Sequence, residues 1–293
     1  MSRSHIIIVN YNADDWLSRA VGSALRHSDG VVTVVDNASS DQSVVTTQSM
    51  INDPRLRWIL NKHNLGFAAA NNQVLESLDS EFAVLMNPDC ELSSDALEVI
   101  FAAFDQNPKM GLASCRISNS DGSTQSTCRR RFPTPWSALM RMLQLHRLFP
   151  NNPSFANFDY GDSIDINSTQ VEFVEAISGA FMVARKSAIE NVGLLDQEYF
   201  MHCEDLDWCK RFALAGWSVG FVPSVSVLHA KGVSSQSRPI AVLWTLHKGM
   251  NRFFDKFYRD QYSWLLRSTV KLGIIASFVT RAGLAFVNGL FRK

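Results

Sequence analysis

Short apolar runs alternate with amphipathic segments over roughly the first 115 residues of the chain. Five nearly continuous apolar runs predict strands, at 5–10, 31–36, 55–60, 81–87 and 110–117. Runs of this kind are typical of strands covered on both faces of a mostly parallel sheet. Helices are predicted at 14–26, 39–50 and 93–104, the last with apolar residues three and four positions apart. The alternation indicates an α/β fold with crossover helices.

The pattern changes in the second half of the chain. Polar sequence containing Pro and Asn extends from 118 to 170, with one candidate helix at 134–148. Apolar runs return at 171–177, 180–186 and 217–229, and a helical spacing starts near Asp205. We therefore expect an insertion followed by further strands of the same unit.

Composition excludes several classes of protein. The 293 residues are 46% hydrophobic and 19% charged, which excludes collagen-like and disordered chains. Lys plus Arg equals Asp plus Glu at 28 each, so the net charge gives no reason to expect nucleic acid as a partner. Five cysteines without a C-x-x-C pair favour a reducing compartment. We expect no secretion, because the N-terminal apolar run is too short for a signal peptide, and no uncharged run of 18 residues indicates a membrane span.

Polar residues follow four of the predicted strands directly. In chain order these are Asn10-Tyr11-Asn12, Asp36-Asn37, the run from Asn61 to Gly66, and Asn87-Pro88-Asp89. The carboxyl ends of parallel strands share one rim of a sheet, where ligands bind. Neither G-x-G-x-x-G nor G-x-x-x-x-G-K occurs, so any nucleotide must be bound in another way.

Each candidate residue has a structural interpretation beside the functional one. Asp36 can bind a base or ribose, or simply make a turn. Asp89 can bind a divalent cation, or also serve a turn. His229, after an apolar run, can be a metal ligand or a hydrogen-bonded structural residue. The run at 129–131, three arginines, can meet a diphosphate or lie in a solvated loop.

Three carboxylates lie within four positions at Glu204, Asp205 and Asp207, where a helical pattern begins. Acidic residues favour the positive end of a helix dipole, so a helix start alone explains one or two of them. Three repel one another. A general base is therefore the functional alternative.

Six ordered motifs resemble glycosyltransferase family 2, most closely its bacterial rhamnosyltransferase-like branch. The motifs are Ile7-Ile8-Val9-Asn10-Tyr11-Asn12, Val35-Asp36-Asn37-Ala38-Ser39, Asn64-Leu65-Gly66-Phe67-Ala68, Leu85-Met86-Asn87-Pro88-Asp89, Ser178-Gly179-Ala180 and Glu204-Asp205-Leu206-Asp207. The resemblance implies a GT-A fold with a catalytic domain at 1–238. Its nucleotide-binding half would cover about 1–117 and its acceptor-binding half about 118–238, followed by a helical segment at 239–293.

The resemblance also implies roles for individual residues. Asp36 would hold a uracil or thymine imide, and Asp89 would hold Mg²⁺ or Mn²⁺ on the donor diphosphate, with His229 as a second ligand. Asp205 would be the base, with Glu204 and Asp207 as rivals. The remaining donor-site residues that the motifs imply are Asn10, Tyr11, Asn12, Asn37, Asn64, Gly66, Phe67, Asn87 and Gly179. Asn87 replaces the first acid of the family's usual Asp-x-Asp motif.

The implied activity is inverting transfer of a sugar, with L-rhamnose from dTDP-L-rhamnose as the expected donor. The acceptor would be a polysaccharide or lipid-diphosphate-linked saccharide in the synthesis of a cell-surface glycan such as O-antigen. A UDP-sugar donor, a catalytically inactive nucleotide-sugar-binding module and a glycoside hydrolase remain alternatives. The strand-end pattern argues against the hydrolase, whose paired carboxylates must flank the scissile bond.

The segment after Asp260 is basic, since it contains five Lys and Arg and no acid. On a helical projection Arg267, Lys271 and Arg281 lie opposite an apolar face that includes Leu272 and Val279. The pattern predicts a basic amphipathic helix that contacts an anionic membrane surface or packs on protein. We expect a cytoplasmic protein, peripheral on the inner face of the membrane through residues 261–293.

Overall fold

A computed structural model describes residues 2–137, 164–230 and 239–290 of the chain. The candidate helix at 134–148 begins as predicted, since 135–137 are helical, and its remainder lies outside the described residues. All five cysteines are within the described residues, where they are buried and unbonded to one another.

The strands, numbered along the chain, are β1 Ser4–Asn10, β2 Val31–Asp36, β3 Leu56–Leu60, β4 Phe82–Met86, β5 Cys90–Leu92, β6 Met110–Ser118, β7 Arg129–Arg130, β8 Glu172–Val174, β9 Ala176–Ile177, β10 Phe181–Arg185 and β11 Ser218–His229. The helices are α1 Trp16–Arg26, α2 Ser43–Met50, α3 Phe67–Leu75, α4 Ala96–Gln106, α5 Lys186–Val192, α6 Glu204–Leu214, α7 Pro239–Tyr258 and α8 Trp264–Leu290.

The main sheet has the order β3-β2-β1-β4-β10-β6-β11-β5, and β8 pairs with β11. The first four strands of this order are parallel. β10 is antiparallel to both β4 and β6, so it joins the parallel group to the rest of the sheet. A separate two-stranded sheet pairs β7 with β9. The predicted mixed α/β architecture, with a mostly parallel first half, is confirmed.

The predicted strands of the first half are confirmed to within a residue or two. The run at 171–177 is not one strand, because the chain changes partner at Glu175: β8 pairs with β11 and β9 with β7. The solvated-loop interpretation of residues 129–131 is wrong for two of the three arginines. Arg129 is buried, and Arg130 lies on β7 with only 18% of its side chain exposed.

Helices cover both faces of the sheet, as the apolar strands require. β1 places Ile6 and Ile8 in the core beneath α1 and α4, and Ile7 and Val9 in the core beneath α3, α6 and α7. The carboxyl ends of β1, β2 and β4 carry polar side chains directly after largely apolar runs.

The C-terminal helices differ in how they meet the rest of the protein. α7 contributes Phe253, Phe254 and Tyr258 to the second core. It is also held by ion pairs from Arg252 and Lys256 to Asp196, at 2.8 and 2.7 Å. α7 is therefore part of the packed body of the protein.

α8 packs on α7 through one face only. Phe278 contacts the rings of Trp244 and His247, and Lys271 pairs with Asp255 at 2.8 Å. The opposite face is apolar and exposed; its large side chains are Trp264, Leu265, Leu272, Ile275, Val279 and Phe286. The sequence did not indicate a span, because charges interrupt the apolar run. The helix at Trp264–Phe286 is nevertheless long and apolar enough to cross a membrane, judged by length and composition.

Candidate active site

The polar ends of β1 and β2 form a hydrogen-bonded cluster. Asn10 Nδ2 lies 2.8 Å from Asp36 Oδ1, to which it donates, and within hydrogen-bond distance of the hydroxyls of Ser39 and Ser43, which share its second hydrogen. Ser39 donates its hydroxyl to Asp36 Oδ1 and its backbone N–H to Asp36 Oδ2. Asp36 is therefore both a turn residue and a preoriented acceptor, because one lone pair of Oδ2 remains. Within the described residues, the buried Asn10 Oδ1 has no donor.

The ends of β1 and β2 also hold the neighbouring loops. Asn12 Oδ1 accepts the backbone N–H of Ser40 at 2.7 Å, while Tyr11 is half-buried. Asn37 donates from Nδ2 to the carbonyl of Gly66 at 3.2 Å. These contacts place the second and third motifs side by side.

The loop before α3 meets the loop before the acidic segment. Asn64 Oδ1 accepts the Gly66 N–H at 2.9 Å, and Phe67 donates its N–H to the carbonyl of Phe200 at 2.9 Å. Gly66 has φ +86°, and a Cβ there would lie 2.4 Å from the Phe200 oxygen. Only glycine fits this crossing without displacing the backbone.

Asp89 and His229 lie together at the junction of β5 and β11. Asp89 Oδ1 is 3.2 Å from His229 Nε2, and both residues are buried. The Asp89 carbonyl also accepts the N–H of Ala230 at 3.0 Å, which fixes the two chain segments relative to each other. Asp89 and His229, which are 140 positions apart in the chain, thus bring one carboxylate oxygen and one imidazole nitrogen next to each other.

These two residues fit a divalent cation. Two ligands at right angles, each about 2.1 Å from an ion, are about 3 Å apart. Cys90 Sγ completes a group of three candidate ligand atoms within 4.8 Å of one another. However, that thiol donates to the carbonyl of Ala180 at 3.3 Å, and burial raises the pKa of Cys90 well above its ordinary value. A divalent cation here would therefore be held by Asp89 and His229, with further positions left for substrate oxygens and water.

The segment Ser178-Gly179-Ala180 lies between this pair and the acidic segment. The Ala180 carbonyl accepts the N–H of Asn87 at 2.9 Å. On the other side, the Gly179 N–H donates to Asp205 Oδ2 at 2.9 Å, and a Cβ on Gly179 would meet the Asp205 Cβ at 3.2 Å. The absence of a side chain at Gly179 therefore lets Asp205 approach the backbone closely. The fourth, fifth and sixth motifs therefore form one continuous patch.

The chain enters α6 through a strained turn. His202 and Cys203 have φ of +73° and +70°, a backbone region that residues other than Gly rarely adopt. Gly249 of α7 packs against this turn, where a Cβ would lie 2.8 Å from the His202 carbonyl. Strained residues of this kind persist where surrounding structure holds them, commonly at functional sites.

Asp205 is held by contacts on both carboxylate oxygens. Oδ2 pairs with Arg130 at 2.5 Å and accepts the Gly179 N–H, whereas Oδ1 accepts, from the part of the chain that the structure describes, only the adjacent Leu206 N–H. Burial alone would raise the pKa of Asp205, but the Arg130 cation and the backbone donors outweigh it and hold the pKa below its usual range. Asp205 is therefore an oriented, ionised carboxylate with a lone pair to spare on Oδ1.

The two rival carboxylates have different surroundings. Burial, together with the neighbouring Asp205 charge, raises the pKa of Glu204 above its ordinary value, so this carboxyl holds its proton more readily than Asp205 does. Asp207 is fully buried and forms ion pairs with Arg211 at 2.6 Å and Lys256 at 2.7 Å. Asp207 therefore connects α6 to α7 through an ion pair. Asp205 instead combines a lowered pKa with an Oδ1 that can accept from a further proton donor, as a base requires.

Two residues near the site have contacts that the sequence did not suggest. Arg130 reaches Asp205 across 75 positions, and Gln125 hydrogen-bonds His229 across 104 positions. The arginine run did draw attention to Arg130, although as a candidate for a diphosphate. Gln125 has no motif around it, and only the fold brings it to His229.

Comparison with known proteins gives matches over most of the chain. A family model described as Glycosyl transferase family 2 matches residues 5–159. An N-acetylglucosaminyl-diphospho-decaprenol L-rhamnosyltransferase of Mycobacterium tuberculosis is 26% identical over 91% of this chain and 90% of its own length. The rhamnosyltransferase WbbL of Escherichia coli is 24% identical, with 91% of each protein covered.

Solved structures share the fold. The structure of GalNAc-T7 with UDP, GalNAc and Mn²⁺ superposes with a TM-score of 0.61 at 15% identity. The superposition covers 87% of this chain and 48% of the GalNAc-T7 chain. The mannosyltransferase PcManGT of Pyrobaculum calidifontis, in complex with GDP-Man and Mn²⁺, has a TM-score of 0.58 at 16% identity, with 98% and 73% covered. Both are glycosyltransferases of the GT-A fold, which confirms that prediction.

Proposed function

The chain belongs to glycosyltransferase family 2 and is a glycosyltransferase, and we propose that it transfers L-rhamnose from dTDP-L-rhamnose with inversion to a lipid-linked saccharide. The observation that carries this proposal is the continuous patch from Asp89 and His229, through Gly179 and Ala180, to Asp205. It provides a cation site and an oriented base on the two sides of one short segment. The names of the two relatives support rhamnose as the sugar.

In this proposal the ends of β1 and β2 bind the nucleoside. Asp36 Oδ2 retains a lone pair and Asn10 Oδ1 is a buried acceptor to which none of the described residues donates, so both suit the imide N–H of thymine or uracil. Tyr11, Asn12, Asn37, Asn64 and Phe67 would line the same pocket.

The proposed transfer is a single displacement. The acceptor hydroxyl gives its proton to Asp205 Oδ1 while the hydroxyl oxygen forms a bond to the anomeric carbon of the donor sugar. The bond from that carbon to the diphosphate oxygen breaks with its electron pair on the leaving group, and attack from the opposite face inverts the centre. Arg130 and the Gly179 N–H hold Asp205 ionised and aligned through Oδ2.

Asp89 and His229 would hold a divalent cation against the donor diphosphate. A bound cation would stabilise the negative charge that develops on the leaving group. With Asn87 in place of a second acid, Asp89 is the one carboxylate that the described residues bring to this group of ligand atoms. A binding module without catalysis is therefore the second candidate, and binding of the donor without turnover would identify it.

Calorimetry with dTDP, UDP and GDP, each with and without Mn²⁺, tests the donor. We expect dTDP or UDP to bind at least about tenfold more tightly than GDP, since one matched hydrogen bond of about 1.4 kcal/mol gives that ratio. Mn²⁺ should strengthen the binding. Incubation with dTDP-L-rhamnose and a polyprenyl-diphosphate saccharide should then give a product of inverted anomeric configuration by NMR. Absence of binding to every nucleotide would contradict the proposal.

We also propose that the exposed face of α8 lies on the cytoplasmic surface of an anionic membrane, where a lipid-linked acceptor would be found. The supporting observations are the exposed apolar side chains and the basic residues Arg267 and Arg281 on the same helix.

Vesicle flotation tests this contact. The double variant Leu272→Glu/Val279→Glu should bind vesicles of anionic lipid at least about tenfold more weakly. It removes two apolar side chains that the membrane would bury, and burial of each contributes about 1.5 kcal/mol or more to binding. The matched control is Val45→Glu/Met50→Glu, which changes two equally exposed apolar residues on α2. Equal loss in both variants, or none in the first, would contradict membrane contact through α8.

A further inference from the structure

Gln125 makes two hydrogen bonds to the same histidine. Its Nε2 is 3.0 Å from the His229 backbone oxygen, and its Oε1 is 3.2 Å from His229 Nδ1. Gln125 is itself buried, and its backbone N–H donates to the carbonyl of Ile117 at 2.7 Å. The backbone of Gln125 is thus fixed by Ile117, and its side-chain amide is fixed by His229.

These contacts determine where the imidazole carries hydrogen. A backbone carbonyl oxygen only accepts, so the amide group facing it must be the NH₂ of Gln125. The other amide atom is then the oxygen, which also only accepts, and His229 Nδ1 must be the donor. In the neutral ring Nε2 therefore has its lone pair, and it faces Asp89 Oδ1 at 3.2 Å.

Two acceptors that face each other in a buried site need either a proton or a cation between them. A divalent cation shared by Asp89 and His229 satisfies both, and a metal-bound histidine commonly donates its other ring N–H to a fixed acceptor. We propose that Gln125 is a positioning residue that fixes the Nδ1–H form of His229 and so presents Nε2 to this cation. The inference rests on the proposed cation site.

Mn²⁺ titration followed by electron paramagnetic resonance tests the inference without any sugar donor or turnover. Gln125→Met removes both contacts at nearly constant volume, and we expect its Mn²⁺ dissociation constant to rise about 10–100-fold. Gln125→Glu keeps an oxygen acceptor for Nδ1–H but loses the donor to the His229 carbonyl. We expect Gln125→Glu to bind Mn²⁺ within about threefold of the wild type.

The pair of variants separates positioning of the ring from support of the backbone. If Gln125 only anchored the end of β11, both variants would lose the anchoring bond and weaken Mn²⁺ binding equally, which would overturn the inference. Wild-type binding that depends on Asp89 but is unchanged in Gln125→Met would also overturn it, while leaving the proposed function intact. Absence of Mn²⁺ binding by the wild type would instead contradict the cation site and the inference together.

A second measurement requires no substitution. In protein labelled with ¹⁵N-histidine and loaded with Mg²⁺, the ring of His229 should show a protonated Nδ1 and an unprotonated Nε2. A protonated Nε2 in the loaded protein would overturn the assignment.

Discussion

Replacement of Asp205 by asparagine is expected to lower kcat about 10²–10⁴-fold while nucleotide binding stays unchanged. An amide is the same size as the carboxylate but cannot take the proton of the acceptor hydroxyl. Its oxygen can still accept from Arg130 and the Gly179 N–H, so the two contacts that orient the side chain through Oδ2 are kept, and the contact of Oδ1 with the Leu206 N–H is lost. Transfer assays at saturating donor, with calorimetry of the nucleotide, measure the two effects separately.

Glu204→Gln is the matched control for this variant, one position away and equally conservative. Because burial and the Asp205 charge raise the pKa of Glu204 and so favour its neutral form, the neutral amide should retain activity within about fivefold of the wild type. Loss of activity in Glu204→Gln together with retention in Asp205→Asn would move the base to Glu204. Asp207→Asn should instead destabilise the fold, since it leaves Arg211 and Lys256 without their buried partner.

The same site has an expected pH dependence. A base acts when ionised, so activity is lost as the pH falls through its pKa. Because the pKa of Asp205 is held below its usual range, the acid limb of kcat/KM should lie below that of an ordinary carboxyl. Arg130→Met removes the cation but leaves the burial and the Glu204 carboxyl, so the limb should move to higher pH. An unmoved limb would show that another group titrates.

Replacement of Asp89 by alanine is the second large effect that we expect. The variant should lose the strengthening of nucleotide binding by Mn²⁺, and kcat/KM should fall about 10³-fold, because charge stabilisation by a cation is worth several kcal/mol. Excess EDTA should have a similar effect on the wild type. Calorimetry with and without Mn²⁺, together with transfer rates, measures both.

Cys90→Ser is the control for Asp89→Ala. Cys90 is adjacent in sequence and within the same group of candidate ligand atoms, but its thiol donates to Ala180 and is not expected to bind the ion. Nucleotide binding by Cys90→Ser should respond to Mn²⁺ as the wild type does. If Asp89→Ala also responded as the wild type does, the proposed cation site would be wrong.

The first half of the fold could be predicted because its central strands are covered on both faces. Burial on two sides requires unbroken apolar runs such as those at 5–10 and 81–87, and such runs are visible in the sequence. The place of β10 could not be predicted in the same way. Its apolar pattern indicates a strand, but nothing in the pattern specifies that it runs antiparallel between β4 and β6.

The candidate site shows a similar division. Asp36, Asp89 and Asp205 stand out because polar groups follow apolar strands or begin a helix, and because the motifs occur in order. Arg130 and Gln125 depend on contacts between residues 75 and 104 positions apart. The sequence around them has no spacing that reports such contacts, so only the three-dimensional arrangement reveals their roles.

The position of β10 also affects how the sheet is completed during synthesis. β6 ends at Ser118 and β10 begins at Phe181, 63 positions later. At about 5–20 residues per second, a ribosome needs roughly 3–13 s to make this stretch. During that interval the edges of β4 and β6 that β10 will occupy lack their final partner, although the parallel strands β1 to β4 are already made. An unpaired edge is prone to association with other chains, so the nascent protein needs protection during this interval.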